Sequence, residues 1–150
     1  MNDRSKSFGY RFALLYRLMC TLNSEKMEKL GISTSQIPFL SELFLADGPL
    51  TQDQLSKRVV IDKAATARGL MQLEEQGLVT RKVNPANRRQ KLVSPTPKAR
   101  ELEADFYMAL RSSSNIFVQG FSKDEKEQAL SLLDRMMENG KQARYGDQGE

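Results

Sequence analysis

Apolar side chains recur at helical spacing in the N-terminal part of the chain. From Phe8 to about Leu30 they return every three or four positions, and Gly31 follows as a stop signal. A second apolar stripe at Tyr10, Leu14 and Met27 widens this face beyond what one helix of a small domain usually buries. The pattern predicts a long first helix whose surplus apolar surface is covered by a partner chain. Burial within its own domain is the alternative.

Capping signals then mark two shorter helices. Ser33 with Gln36, and Thr51 with Gln54, have the spacing of a capping box, in which a hydroxyl and an amide satisfy free backbone donors at a helix start. They predict a second helix that runs to about residue 46, with its first turn bent by Pro38, and a third helix over about 52–59.

A fourth helix is expected to begin after Asp62, a favourable capping residue, and to end at Gly77, where a left-handed cap is common. Helical spacing turns three of its residues inward, namely Thr66, Leu70 and Leu73. The outward face then carries Lys63, Ala64, Ala67, Arg68 and Met71.

The C-terminal half begins with a hairpin pattern. Two short runs of β-forming residues, over 78–83 and 91–94, are separated by the polar and basic segment 84–90. They predict two strands with a basic tip. Thr96 and Pro97 favour the start of a fifth helix, and Ser122 with Glu125 supplies a capping box for a sixth. The polar tail after residue 140 is expected to fray.

Positive charge is concentrated in one part of the chain. The net charge of the 150 residues is +4, but residues 54–100 hold eleven Lys or Arg and three acids, whereas residues 101–150 hold six and ten. Concentrated positive charge attracts a phosphate backbone because neutralised phosphates release condensed counterions. Nucleic acid is therefore a candidate partner, with a merely solvated basic face as the alternative.

Composition argues against several other classes. The chain has one cysteine, Cys20, and no histidine, so neither an internal disulfide nor a zinc site is expected. Histidine is the commonest proton shuttle at neutral pH, and without it we expect no enzymatic activity, no metal and no cofactor. No stretch approaches the ~20 apolar residues of a membrane-spanning helix, and the N-terminus lacks the apolar core of a signal peptide. These features predict a cytoplasmic protein.

Two short helices joined by a tight turn and followed by a basic hairpin are the parts of a winged helix-turn-helix, whose second helix enters a DNA major groove. The segment LTQDQLSKRVVIDKAATARGLMQLEEQGLVTRKVNPANRRQKLVSPTPKARE resembles the DNA-binding core of the MarR family of bacterial regulators, most specifically in the turn EEQGLV and the wing NPANRRQK. The resemblance covers about residues 8–140. The expected fold is mainly α, an α+β winged helix with six helices and a two-stranded β-wing.

The resemblance implies a homodimer that presents two recognition helices to the halves of a palindromic double-stranded DNA site. It assigns about 33–95 to the DNA-binding lobe and both chain ends, about 8–30 and 96–140, to dimerisation, within a single domain over 1–150. The surplus apolar surface at both ends agrees with this division. The working hypothesis is a ligand-responsive repressor, with activation by competition as the alternative direction of control.

Candidate DNA contacts fall first on the fourth helix. Arg68 is expected to recognise a base, since its planar guanidinium can engage guanine O6 and N7 together; a phosphate contact or an exposed ion pair is the alternative. Lys63, at the helix start, is expected to meet a phosphate. Relatives often place serine or threonine where this chain has Ala64, Ala65 and Ala67, so several hydroxyl contacts to DNA are expected to be absent. Ala64 and Ala67 then offer apolar contact with thymine methyl groups.

In the hairpin, the resemblance matches Arg89 to the arginine that the family commonly inserts into the minor groove, with Arg88 and Lys91 against phosphates. Relatives usually have aspartate where this chain has Asn87. A bracing ion pair is then reduced to a neutral hydrogen bond, and a looser wing is expected. Two further departures from the family, Pro95 and Ala99, leave the start of the fifth helix open.

The resemblance also implies an effector. The family typically binds small aromatic or phenolic anions in a cleft between the dimer helices and the DNA-binding lobe. Tyr10, Arg11, Phe39 and Phe44 are candidates to line such a cleft, although core packing explains them equally well.

Two other functions remain open on the sequence. Some relatives sense peroxides through a cysteine in the first helix, which makes Cys20 a candidate redox sensor; burial on an apolar face, which blunts a thiol, is the alternative. A winged-helix module that binds another protein and not DNA is the second possibility. The alanine-rich fourth helix favours that module, and the basic wing opposes it.

Overall fold

A computed structural model describes residues 6–146 of the chain. The chain divides into two compact units, Met1–Ser113 and Ser114–Glu150, and the boundary lies inside the fifth α-helix. The outermost residues of the predicted single domain, 1–5 and 147–150, lie outside the described range. Between residues 6 and 146, every helix is too short or too polar to cross a membrane.

The described residues form six α-helices and three strands, which confirms the predicted winged-helix class. In chain order the helices are α1 (Phe8–Glu28), α2 (Ile37–Leu45), α3 (Gln52–Val59), α4 (Lys63–Glu75), α5 (Pro97–Phe117) and α6 (Lys123–Tyr145). The strands are β1 (Leu50–Thr51), β2 (Val79–Asn84) and β3 (Asn87–Pro95). The predicted bounds of the third helix agree with those of α3.

The second helix begins later than the sequence predicts. Residues Thr34–Gln36 form a separate 3-10 turn, and α2 starts only at Ile37 with Pro38 in its first turn. Ser33 still makes the predicted capping contact, since its backbone N–H donates to Gln36 Oε1 at 2.9 Å. The missing N–H of Pro38 explains the break, because it cannot donate to the carbonyl of Thr34 as a continuous α-helix from residue 34 would require.

The sheet is larger than the predicted hairpin. Its three antiparallel strands have the order β1-β3-β2, with Leu50 opposite Val93 and Thr80 opposite Ser94. The prediction of two strands was incomplete because β1 has only two residues, too few to carry an alternating pattern. This short strand ties the segment before α3 to the base of the hairpin.

The hairpin tip is also shorter than expected. The predicted loop over 84–90 is a turn around Pro85 and Ala86, and β3 already begins at Asn87. Asn84 Oδ1 accepts a hydrogen bond from the backbone N–H of Ala86 at 3.0 Å, which is the local contact that closes tight turns. The basic residues of the tip therefore lie on a strand.

The core of the first unit forms where α2, α4, α5 and the sheet meet. The predicted inward row of α4 is confirmed, since Thr66, Leu70 and Leu73 are all fully buried. An aromatic cluster closes the core on the α5 side, with the ring centroids of Phe44 and Phe106 5.4 Å apart in an edge-to-face arrangement. This core fixes the positions of the helices that carry the candidate DNA contacts.

Two long helices expose apolar faces within the isolated chain. On α1 the exposed apolar residues include Phe8 (66%), Phe12 (45%), Leu15 (48%) and Leu18 (46%). On α6, in the second unit, they include Leu130 (61%), Leu133 (47%) and Met137 (55%). An uncovered face of this width is unusual for a single soluble chain.

The second unit starts α6 as predicted. The backbone N–H of Ser122 donates to Glu125 Oε2 at 2.7 Å, and the N–H of Glu125 donates to Ser122 Oγ at 3.1 Å. The expectation that the chain frays after residue 140 is wrong, because α6 continues through Gly140 to Tyr145. One glycine costs a helix only about 1 kcal/mol, which a helix of 23 residues tolerates.

Candidate nucleic-acid interface

The turn between α3 and α4 is held by a compact set of hydrogen bonds. The N–H of Ile61 donates to the carbonyl of Ser56 at 3.1 Å, and Ser56 Oγ donates back to the carbonyl of Ile61 at 2.6 Å. Between them Val60 takes the left-handed conformation, with φ 58° and ψ 38°. The pattern is that of a Schellman-type helix end, which reverses the chain sharply enough to form a helix-turn-helix.

The first turn of α4 is capped by Asp62. Its carboxylate accepts a hydrogen bond from the N–H of Ala65 at 2.8 Å. That bond is the main reason why the pKa of Asp62 lies below its ordinary value, and Arg68 contributes as a nearby positive charge. The helix start is thus defined by a charged cap, as the sequence predicts.

Close packing against α2 sets the position of α4. A Cβ atom at Gly69 would lie 2.6 Å from Cε2 of Phe39, a buried ring of α2. Glycine therefore allows the two helices to approach closely at this point. Arg68, the residue before Gly69, therefore projects from a helix whose position is fixed by packing against α2.

The outward face of α4 carries the predicted candidates. Lys63, Ala64 and Arg68 are exposed, and Ala67 is half-buried. Lys63 Nζ lies 3.1 Å from Oδ1 of Asp53, a residue in the first turn of α3. An exposed lysine and arginine on either side of two alanines form a short surface of suitable chemistry for phosphate and base contacts.

An ion pair links α4 to the wing, the hairpin formed by β2 and β3. Arg81 on β2 donates through Nε and Nη2 to Oε2 of Glu74 on α4, at 2.9 and 2.6 Å. The Arg81 guanidinium holds the pKa of Glu74 below its ordinary value, chiefly through this hydrogen bond. The sequence counts Arg81 only as part of the positive charge of residues 54–100, whereas in the structure it acts as a brace between the two elements.

The wing itself is held by neutral hydrogen bonds. Asn87 Oδ1 accepts from the backbone N–H of Arg89 at 3.2 Å, and Asn84 Nδ2 donates across the turn to Gln90 Oε1 at 3.2 Å. The neutral contact expected of Asn87 thus involves the backbone N–H of Arg89. The guanidinium of Arg89 takes no part in this contact. Arg88, Arg89 and Lys91 are all exposed.

A groove of about 280 Å³ separates the start of α3 from one face of the wing. Its lining is polar and comprises Thr51, Gln52, Asp53, Arg81, Arg89, Gln90 and Lys91. Sequence reasoning missed Gln52, Asp53 and Gln90 as members of this surface. The capping box at Thr51 locates the first turn of α3, but only the pairing of β1 with β3 brings that turn next to the wing.

The four candidate effector-binding residues lie in two kinds of surroundings. Tyr10 and Arg11 are exposed in the first turn of α1, whereas Phe39 and Phe44 are buried in the core. Phe39 also borders a pocket of about 240 Å³. The other residues that line this pocket are Ser35, Ile61, Ala65, Arg68, Gly69 and Gln72.

Cys20 is half-buried on α1 and borders a shallow pocket that is also lined by Thr21, Ser24, Glu25 and Thr34. A hydrogen bond with Cys20 raises the pKa of the Tyr16 hydroxyl, one helical turn earlier. Within the part of the chain that the structure describes, the acidic and cysteine side chains form no cluster able to hold a metal ion.

Comparison with known proteins identifies the family. The MarR family model matches residues 32–91. A MarR transcriptional regulator from Methanosarcina mazei Go1 is 32% identical in sequence, with a TM-score of 0.83 over 88% of this chain and 94% of that one. A putative MarR family transcriptional regulator from Listeria monocytogenes, solved in complex with 26mer DNA, shares the fold at 23% identity and a TM-score of 0.86, over 97% of each chain.

A curated relative agrees with these matches. The uncharacterized HTH-type transcriptional regulator YybA of Bacillus subtilis (strain 168) is 24% identical over 139 residues, which cover 93% of this chain and 89% of YybA. The family model spans the helix-turn-helix and most of the wing, and the Methanosarcina relative is 32% identical over nearly its whole length. The chain therefore belongs to the MarR family of transcriptional regulators.

Proposed function

We propose that this regulator binds a palindromic double-stranded DNA site as a homodimer and represses transcription until a small effector releases it. The observation that carries the proposal is the pair of exposed basic surfaces on α4 and β3, which are braced to each other by Arg81 and Glu74. Because the phosphates and grooves of a DNA duplex recur at regular spacing, two basic elements held at a fixed distance can contact it at the same time.

Each exposed side chain has a distinct role in this proposal. Arg68 forms two hydrogen bonds with a guanine in the major groove, and Ala64 and Ala67 contact thymine methyl groups. Lys63 faces the phosphate backbone at the start of α4. On the wing, Arg89 enters the minor groove while Arg88 and Lys91 neutralise the flanking phosphates. The Listeria relative, which has the same fold, was solved in complex with 26mer DNA, and this supports DNA binding by this fold.

Dimerisation in this proposal covers the exposed apolar faces of α1 and α6. Burial of apolar surface contributes about 25 cal/mol per Å², so faces with several large exposed side chains favour association with a second copy. A two-fold dimer presents two α4 helices to successive turns of one duplex, which raises affinity through effective concentration.

The proposed effector is a small aromatic carboxylate or phenol. The pocket beside Phe39 suits such a molecule, because the side chains of Phe39, Ile61 and Ala65 offer apolar walls. Arg68 offers a cation. An effector bound there engages an arginine that DNA also needs, and the two therefore compete. The exposed residues Tyr10 and Arg11, and the buried Phe44, are the other candidate positions.

Benzoate is a suitable probe of this pocket. During a titration followed by NMR, the amide signals of Arg68, Gly69 and Gln72 are expected to shift, and bound DNA to be released over the same range of concentration. Shifts confined to the neighbourhood of Tyr10 and Arg11 would place the effector site on α1 and not beside Phe39.

The DNA-binding proposal is tested by gel shift with promoter fragments at two salt concentrations. We expect affinity to fall steeply as salt rises, since each neutralised phosphate contributes a slope of about 0.9 to the logarithmic salt dependence. Arg89→Ala should weaken binding to all sequences. Arg68→Ala should reduce discrimination at particular base pairs, by about 1 to 3 kcal/mol.

A matched control is Arg144→Ala, which removes an exposed arginine of α6 that stacks on Tyr145. Binding without sequence preference or salt dependence would instead indicate that this winged helix recognises another protein and not DNA. If both interface variants bind DNA like the parent, the assignment of α4 and β3 is wrong.

A further inference from the structure

One acidic side chain lies among the basic groups of the proposed DNA-binding surface. Asp53 is in the first turn of α3 and keeps 51% of its side chain exposed. It lines the same groove as Arg89 and Lys91 of the wing, and its Oδ1 lies 3.1 Å from Nζ of Lys63 at the start of α4. It thus faces cations of both DNA-binding elements.

The Asp53–Lys63 ion pair has no evident role in folding. The two side chains are 51% and 76% exposed, and exposed pairs of this kind contribute little to stability because water and salt screen them. The start of α3 is already capped by Thr51, whose Oγ1 accepts from the N–H of Gln54 at 3.1 Å. A carboxylate in the first turn of a helix also interacts favourably with the positive helix end, but that interaction does not require the contact with Lys63 or the closeness to the wing.

The effect of this carboxylate on DNA binding follows from its distance to Lys63. A phosphate that contacts the Lys63 ammonium comes within a few ångströms of the Asp53 carboxylate, well inside the Debye length of about 8 Å at physiological salt. The attraction of the phosphate to Lys63 is then largely offset by its repulsion from Asp53. Because Asp53 belongs to a helix turn fixed by its capping box, its charge stays at this surface even when the lysine turns away.

We propose that Asp53 is an electrostatic determinant that lowers the affinity of this regulator for the DNA backbone. Phosphate contacts are the same at every sequence, so a carboxylate that weakens one of them reduces binding everywhere. Stable binding then depends more strongly on the base contacts of Arg68, which only a cognate site provides. This inference rests on the proposed DNA-binding function.

The test compares Asp53→Asn, Lys63→Gln and the double variant with the parent protein. Affinity is measured by fluorescence anisotropy over a range of salt, with a duplex that the protein itself selects from a random pool and with a scrambled duplex of the same length. The matched control is Asp134→Asn, which makes the same charge change at an exposed position of α6. Far-UV circular dichroism verifies that each variant is folded.

We expect Asp53→Asn to bind the scrambled duplex several-fold more tightly, with a salt slope steeper by about 0.9, the value of one additional phosphate contact. Affinity for the selected duplex should rise by a similar factor. Lys63→Gln alone should weaken binding to both duplexes, because a phosphate contact is lost while the Asp53 carboxylate remains. In the double variant the gain from Asp53→Asn should largely disappear. Asp134→Asn should leave both affinities near those of the parent.

Three results would overturn the inference while leaving the proposed function intact. The first is an Asp53→Asn variant that binds both duplexes like the parent, and the second is an equal gain in Asp134→Asn, which would assign the effect to net charge. The third is weaker binding by Asp53→Asn, which would mean that Asp53 supports a DNA contact. A parent protein that binds neither duplex at low salt would reject the proposed function itself, and this inference with it.

Discussion

Val60 carries the least favourable backbone conformation of the helix-turn-helix. It is the non-glycine residue with positive φ in the described part of the chain, and its side chain is branched at Cβ. Left-handed conformations cost an L-residue roughly 1 to 2 kcal/mol, and β-branched residues rarely adopt them. The turn retains it because the hydrogen bonds between Ser56 and Ile61 fix the backbone on both sides.

We therefore predict that Val60→Gly raises the free energy of unfolding by about 1 kcal/mol, because relief of the steric strain exceeds the entropic cost of glycine. The measurement is urea denaturation followed by circular dichroism. Val60→Ala is the control, since alanine also disfavours positive φ and should show no such gain. Equal stabilities for the glycine and alanine variants would show that the turn is not strained.

At the scale of elements, the ion pair between Glu74 and Arg81 connects the recognition helix to the wing. The Arg81 side chain is only 15% exposed, so its position is well defined by its surroundings. The wing has few other contacts of this strength, because Asn84, Asn87 and Gln90 provide neutral hydrogen bonds. The orientation of β2 and β3 relative to α4 therefore depends on this charged contact.

Glu74→Gln is predicted to loosen the wing. We expect hydrogen exchange at the amides of β2 and β3 to become several-fold faster near neutral pH, whereas the core amides of α4 should change little. The control is Glu75→Gln, the exposed neighbour with the same change of charge. Equal exchange rates in the two variants would contradict a bracing role for Glu74.

The same contact predicts a dependence on pH. Because Arg81 lowers the pKa of Glu74 from its ordinary value of 4.5, the ion pair is complete above that value and is lost as the pH falls through the lower, folded-state pKa. In the parent protein the protection of the wing should thus persist below pH 4.5 and then decline. In Glu74→Gln this acid transition of the wing should be absent.

At the scale of the whole molecule, the exposed apolar residues of α1 and α6 call for a covering surface. Several of them are large, and those on α6 recur at positions 130, 133 and 137, the spacing of one helix face. A solitary chain would expose this face to water. A second copy offers the same face, which suits the isologous contact of a two-fold dimer.

Leu133→Lys is accordingly predicted to shift the protein toward monomers. Burial of a leucine contributes about 1.5 to 3 kcal/mol, and a two-fold interface contains it twice, so the dissociation constant should rise at least ~100-fold. Analytical ultracentrifugation over a concentration series measures the change. Ser131→Lys, at an exposed polar position of the same helix, serves as the control. A parent protein that sediments as a monomer at all concentrations would refute the dimer.

Much of the fold is encoded locally and was predictable from the sequence. The capping boxes at Thr51 and Ser122 locate the starts of α3 and α6 because each contact involves residues only three positions apart. The inward row of Thr66, Leu70 and Leu73 follows from helical periodicity alone. Family membership confirms the expectation of a DNA-binding regulator that is not an enzyme.

The tertiary structure decided what depends on contacts between distant segments. The two residues of β1 become a strand only through pairing with β3, and this pairing brings Asp53 to the wing. Arg81, one of the eleven basic residues of the segment 54–100, becomes a brace because Glu74 lies within hydrogen-bonding distance. Local patterns specify where a helix begins and which side it buries, whereas the partner of a charged side chain is set by the packing of the whole chain.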